Sequence, residues 1–439
     1  MKRITLLIAL LVLLAAQDVA QAQPSPKLLG TWSGKLQVMG SSLTLVFHLE
    51  PSDGDVAITL DSPDQGATGI SCTKEFLSDD SLAVRVDVIN ATYRARLQDG
   101  HLKGHFSQNG MSFPLTLEPK APMLKRPQTP RPPFPYAEEE VTFENAGYVF
   151  HGTLTLPKDC SEATPVLVMV TGSGQQNRDE EMMGHRPFAV IADALARQGI
   201  ATMRFDDRPQ SSDLVSTIGD HLSDAAAGVR LMRERFHRVG VIGHSEGGTI
   251  ALMLASEGLV DACISLAGMA VSGRETLLDQ NHTLLAAYGI PADTVAAYCD
   301  ALAEVIDALA ADKPLNVNDI KVPQFLRENF SAAVVQLSTP YMRGFLATDV
   351  RRLLPRVTCP VLALHGKRDT QVSASTNLAA IDEGLKNSQH EVVAFDGLNH
   401  LFQHCQTGLV GEYALIEETF APEVIEKISE WVKALESTK

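Results

Sequence analysis

At 439 residues, with 45 % hydrophobic and 21 % charged side chains, the chain is long for one ordinary domain and globular in composition. Its mean hydropathy of +0.01 excludes a polytopic membrane protein. With 37 Lys and Arg against 53 Asp and Glu, a formal net charge of −16, the surface repels phosphate backbones, so no nucleic-acid partner is expected.

Lys2-Arg3, the apolar run Ile4–Ala16 and the small-residue site Ala20-Gln21-Ala22 have the order of a secretory signal, expected over 1–22 and cut near Ala22. The apolar run is short for a bilayer span, so no transmembrane segment is expected after removal, and the mature chain is expected to be periplasmic or secreted. Export permits disulfides, but Cys72, Cys160, Cys263, Cys299, Cys359 and Cys405 are widely spaced with no C-x-x-C pair. That spacing argues against a zinc ribbon, a thioredoxin motif or a dense disulfide scaffold, and no pairing can be read from it.

Residues 23–118 read as a small all-β domain, a sandwich or partly open barrel. Thr44–Leu49, Val56–Leu60 and Leu82–Val88 alternate or run apolar between turn clusters such as Pro51-Ser52-Asp53-Gly54 and Gln98-Asp99-Gly100. His48, His101 and His105 have no Cys or carboxylate pattern around them and are read as ordinary strand and turn histidines, not metal ligands. Residues 119–136 form a linker in which Pro119, Pro122, Pro127, Pro130, Pro132, Pro133 and Pro135 enforce stiff, extended backbone.

From 137 to 439 strands and helices alternate, which predicts an α/β fold with a mostly parallel sheet covered by helices on both faces. The expected strands are Tyr148–Leu156, Pro165–Val170, Ile200–Phe205, Arg238–Gly243, Ala262–Leu266, Pro360–Leu364 and Val392–Phe395, followed by a helix from about Pro422 to Leu435. Between about 271 and 355 the alternation lapses. There Val295, Cys299, Leu302, Ile306 and Leu309 step at helical spacing, so a helical cap over the carboxyl edge of the sheet is expected.

Gly243-His244-Ser245-Glu246-Gly247 is a G-x-S-x-G between an apolar strand and an Ala/Leu-rich helix. Glycines on either side relieve the crowding of a tight strand-to-helix turn, which lifts the Ser245 hydroxyl to the amino end of the helix as a candidate nucleophile. A serine nucleophile needs a base, and the base a carboxylate, in the chain order Ser, acid, His for this kind of fold. Asp369 follows the strand beginning at Pro360, and His400 follows the next strand. Asp396 competes as the acid but shares a strand end with the base. His365 is read as packed at the strand end, and His244 as inside the elbow and pointing away from substrate. His404 lies four residues past His400, a metal-like spacing that no Glu completes. Two backbone N–H groups must face the carbonyl oxygen; those of Glu246 and Ser173, in the loop Gly172-Ser173-Gly174, are chosen, with Gly174 or Gln175 as substitutes for Ser173. That loop lacks the endings of a phosphate-binding P-loop or dinucleotide motif. No metal and no cofactor are expected.

Taken together, Gly172–Gly174 through Asn177-Arg178-Asp179-Glu180, Arg204-Phe205-Asp206-Asp207-Arg208, the elbow at Ser245, His365–Val372 and Asn399-His400-Leu401-Phe402 resemble the α/β-hydrolase superfamily. The similarity is to exported bacterial serine carboxylesterases near the dienelactone-hydrolase and serine-aminopeptidase-like branches. One departure stands out: after Asp-Asp-Arg such proteins usually carry Gly-x-Gly-x-Ser, where this chain has Pro209-Gln210-Ser211-Ser212-Asp213, and Pro cannot take positive φ. Asp206, Asp207 and Arg208 are read as a structural ion-pair and turn cluster, with Arg178, Asp179 and Glu180 ordering the loop that carries Ser173. The resemblance implies a small-molecule ester substrate, of small to medium acyl chain, cleaved through an acyl-enzyme on Ser245. The same constellation serves an exopeptidase or amidase, which would anchor a terminal amine on carboxylates such as Asp279 or Glu304. A non-catalytic binder is the third reading.

Overall fold

The computed structural model describes residues 28–38, 41–52, 55–108, 110–119, 126–209, 216–314 and 316–437. The signal-like residues 1–22 lie outside the described residues.

Eight antiparallel strands open the described chain: β1 (Gly30–Val38), β2 (Ser41–Ser52), β3 (Asp55–Ser62), β4 (Ala67–Leu77), β5 (Ser81–Val86), β6 (Ala91–Gln98), β7 (His101–Gln108) and β8 (Met111–Leu117). Each pairs with the next in sequence order. The meander closes where Ser33 of β1 and Glu118, just past β8, exchange backbone hydrogen bonds of 2.9 and 2.7 Å. It is therefore barrel-like, one of the two forms the sequence pattern left open, with β1 and β8 brought side by side. Closure leaves no long edge to protect. Period-two alternation sends Val56, Ile58 and Leu60 of β3 and Leu82, Val84 and Val86 of β5 inward. Trp32, Phe47 and Tyr93 fill the lumen, and the Tyr93 hydroxyl donates to the Leu102 carbonyl at 2.8 Å, so the buried phenol is satisfied. His48 pairs with Asp61 at 2.7 Å.

The described half of the proline-rich segment is tied to the second domain. Arg126 donates to the carbonyls of Met183, Ala414 and Ile416, Gln128 to that of Phe420, and Tyr136 to Asp193.

The second sheet comprises β9 (Ala137–Asn145), β10 (Tyr148–Leu156), β11 (Val166–Val170), β12 (Ala201–Phe205), β13 (Val239–His244), β14 (Cys263–Leu266), β15 (Val361–Gly366) and β16 (His390–Phe395). Its spatial order is β16-β15-β14-β13-β11-β12-β10-β9, with the pairs β9/β10 and β10/β12 antiparallel and the rest parallel. All residues of β11, β12, β13, β14 and β15 are buried, as parallel strands covered on both faces must be.

On one face, α2 (Ile218–Arg233), α3 (Glu246–Ser256) and α8 (Ala374–Gly384) share a core with Val168, Val241 and Ala363. On the other, α1 (Pro187–Ala196) and α10 (Pro422–Ser437) pack Phe188, Ile191, Val424 and Ile428 against Leu167, Ile242 and Leu362. Between β14 and β15 the chain leaves to build α4 (Gly273–Ala287), α5 (Ala292–Ala310), α6 (Arg327–Leu337) and α7 (Pro340–Ala347), which have their own core of Val295, Tyr298, Leu302, Ile306 and Phe330. A short helix, α9 (Val410–Tyr413), follows the last strand and meets the Pro63–Gln65 turn of the barrel.

The order reverses beside β11: β12 lies on one side of it and β13 on the other. Crossovers from such a pair leave on opposite faces, which opens a crevice at the carboxyl ends of β11 and β13. The loop holding Gly172 and the turn holding Ser245 both emerge there.

Candidate active site

Ser245 stands between β13 and α3, as the N-cap of the helix, with φ 55° and ψ −117°, a conformation that non-glycine residues rarely adopt. The glycines make the turn possible by close approach. A Cβ on Gly243 would stand 2.0 Å from the Gly247 carbonyl oxygen, and one on Gly247 would stand 2.0 Å from the carbonyl of Val170. The Ser245 N–H is fixed by the Leu266 carbonyl at 2.8 Å.

The three residues expected from separate stretches of sequence meet in a line. His400 Nε2 lies 3.0 Å from Ser245 Oγ, and His400 Nδ1 lies 2.7 Å from Asp369 Oδ2. The carboxylate can only accept, so Nδ1 carries the proton and Nε2 is left to receive that of the serine. Asp369 Oδ1 accepts from the backbone N–H groups of Gln371 at 2.8 Å and Val372 at 2.9 Å. Burial alone would raise the Asp369 pKa; the charge of His400 and its hydrogen bond overcome that and hold it below the ordinary value. Gly366 allows the strand carrying the acid to approach the base loop, since a Cβ there would meet the Leu398 carbonyl at 2.3 Å. The base loop is folded by Asn399, whose Oδ1 accepts from the N–H groups of Leu401 and Gln403.

Asp396, the competing acid, points to solvent with its side chain 88 % exposed, paired with Lys367 at 2.9 Å. His365 is fully buried at the end of β15, and burial pulls its pKa down to about 4. His404 is taken up by Glu418 and Glu423. Asp279 accepts from the Thr376 hydroxyl, and Glu304 is exposed on α5, so neither is singled out as an amine anchor.

His244 does more than fill the elbow. Its Nδ1 lies 3.0 Å from the Glu180 carboxylate and its Nε2 2.9 Å from the His400 carbonyl. Both partners only accept, so the doubly protonated ring satisfies both, and Glu180 outweighs burial to raise its pKa. Glu180 in turn accepts from the Gly172 N–H at 2.7 Å. One buried carboxylate thus joins the Ser173 loop to the elbow histidine, and through it to the base loop.

Arg178 grips Asp206 at 2.7 Å and Glu140 at 2.8 Å, while Arg208 grips Asp224 at 2.6 Å, as an ion-pair cluster would. Asp207 behaves differently. It accepts from the Thr171 hydroxyl and the Gln176 N–H, both at 2.7 Å, and burial still pushes its pKa up to about 6.

Ser173 is exposed in the loop after β11, and Glu246 is the first residue of α3. The Glu246 side chain is buried and bonded to His221 of α2 at 2.9 Å and to Tyr341 of α7. Sequence reasoning missed both partners. Their only local signal was a charged residue at an otherwise apolar helix start.

An array of this form can move the Ser245 proton to His400 and hold the resulting imidazolium against a carboxylate.

A model described as the alpha/beta hydrolase family matches residues 167–410. Esterase EstD of Thermotoga maritima is 26 % identical over 275 residues, which is 61 % of each chain. The chain therefore spans 61 % of the length of that relative. Among solved structures, Est1E from Butyrivibrio proteoclasticus is 17 % identical, with a TM-score of 0.41 over 67 % of this chain and 98 % of its own. A dienelactone hydrolase from Anabaena variabilis is 16 % identical, with a TM-score of 0.39 over 68 % and 98 %. Among the described residues, no helix is long and apolar enough to cross a membrane.

Proposed function

This chain belongs to the alpha/beta hydrolase family, and from that premise we propose that it is an exported serine carboxylesterase acting on small to medium acyl esters. The observation that carries the reading is the hydrogen-bonded line Ser245–His400–Asp369 on a strained elbow. Ser245 Oγ attacks the ester carbonyl while His400 Nε2 takes its proton. The tetrahedral oxyanion rests on the backbone N–H groups of Glu246 and Ser173. His400 then passes the proton to the leaving alcohol, and Asp369 stabilises the imidazolium in between. Water, activated by the same histidine, attacks the acyl-enzyme and releases the acid. Ester rather than amide chemistry draws support from the name of EstD. Export rests on the signal-like residues 1–22 and places the mature enzyme in the periplasm or outside the cell.

A fluorophosphonate label, followed by peptide mapping, is expected to modify Ser245, and Ser245→Ala should abolish both labelling and turnover of p-nitrophenyl esters. Turnover of aminoacyl anilides with none of esters would replace the esterase by a peptidase. A folded protein that neither labels nor hydrolyses esters would sink the reading.

A further inference from the structure

Glu246 is an unusual residue to find buried behind a serine nucleophile. Its position at the first turn of α3 suits a negative charge, because the helix dipole is positive there. The carboxylate is nevertheless shut away from solvent, a state that costs several kcal/mol unless donors replace the lost water. Two donors do so, and they come from different parts of the fold. His221 Nδ1, on α2, sits 2.9 Å from Oε1; the Tyr341 hydroxyl, on α7 of the cap, donates to Oε2. Burial and the Glu246 charge push the phenol's pKa up, so Tyr341 keeps its proton and stays a donor. One cap side chain thus holds the carboxylate of Glu246, a residue whose peptide N–H the proposed mechanism uses.

We propose that Tyr341 is a positioning residue of the oxyanion site, a latch on the cap that fixes the Glu246 peptide beside Ser245. Tyr341 contacts no reacting atom. It acts through Glu246: with the carboxylate pinned between α2 and α7, the first peptide of α3 cannot rotate, and its N–H keeps its direction as charge builds on the substrate oxygen. Such pre-aimed donors stabilise a transition state without reorganising. Seating of the cap and assembly of the oxyanion site become one event, because the hydroxyl reaches Glu246 only when α7 is docked. The inference rests on the esterase reading, and its test separates the two.

Tyr341→Phe removes one oxygen and leaves the ring packed. Loss of a direct oxyanion donor costs about 10² to 10³ in turnover, and a small misplacement about 10², so loosening one donor should lower kcat for p-nitrophenyl acetate by about ten- to a hundredfold. KM should stay near wild type. Affinity for a trifluoromethyl ketone, whose adduct carries the oxyanion, should weaken by the same factor as kcat, while the melting temperature moves little. In a double-mutant cycle with Glu246→Gln, adding Tyr341→Phe should cost much less than it does alone. Unchanged kcat and unchanged ketone affinity in a folded Tyr341→Phe would overturn the proposal, as would a loss confined to KM or strictly additive effects in the cycle. Failure of the wild type to label at Ser245 would instead remove the esterase reading, and this inference with it.

Discussion

Replacing Asp369 by Asn tests the proposed acid through the geometry around it. The side chain is fully buried, and its two oxygens face different partners: Oδ1 accepts two backbone N–H groups and Oδ2 accepts His400 Nδ1–H. An asparagine has one oxygen and one NH2 group. Facing Gln371 and Val372, the NH2 would leave two buried N–H donors opposed by a third. The oxygen therefore takes the Oδ1 place, and the NH2 turns toward His400. A donor there favours the tautomer with Nδ1 bare and Nε2 protonated, and a protonated Nε2 cannot receive the proton of Ser245. Volume and fold are preserved, but base and tautomer are both lost. In serine proteases the corresponding change costs about 10⁴ in turnover, equivalent to about 5.5 kcal/mol of transition-state stabilisation, and a loss of that order is expected here. Initial rates on p-nitrophenyl acetate, alongside Asp396→Asn, are the assay. Asp396 lies in solvent against Lys367, so its variant should stay within a fewfold of wild type. An Asp369→Asn enzyme within tenfold of wild type, or an Asp396→Asn enzyme that is dead, would refute the assignment.

Two further expectations concern the scaffold. Gly247→Ala would press a methyl against the Val170 and Thr171 carbonyls at 2.0 and 2.5 Å, backbone atoms that cannot swing away; a stability loss of about 3 kcal/mol or more should appear in urea unfolding, and a wild-type midpoint would contradict it. Acid should weaken the fold early: His185 and His365 have pKa values pulled down to about 4, chiefly by burial, so between pH 6.5 and 4 the unfolded chain binds more protons and stability falls with pH. Asp207, pushed up to about 6 by burial, opposes them over part of that window. At about 1.4 kcal/mol per proton per pH unit, two histidines less one aspartate leave a net loss of about 4 kcal/mol, and urea midpoints that do not move across that range would show the histidines are not held neutral.

Much of this protein is written in stretches of a few residues. Strand periodicity in residues 44–88, the continuous apolar strands after 165 and the helical spacing of Val295 to Leu309 each reflect a local rule: which side of an extended or helical backbone meets the core. The elbow is equally local, because strand, turn and helix are consecutive, and the glycines at 243 and 247 are demanded by neighbours within the turn and by the adjacent strand. Chain order after parallel strands was enough to nominate Asp369 and His400, since every such strand delivers its loop to the same edge of the sheet.

What escaped the sequence depends on which surfaces come to face each other. The barrel closes because β1 reaches β8, a pairing between segments more than sixty residues apart that no strand pattern specifies. Glu180 reads as a residue ordering the Ser173 loop, and only folding shows that the same carboxylate also holds His244. His221, Glu246 and Tyr341 stand on three helices, and their hydrogen bonds exist only because α2 and the cap both pack against the first turn of α3. A buried charge must find its partners wherever the packing puts them. The packing is settled by the fit of whole faces, and so the identity of those partners belongs to the tertiary structure alone.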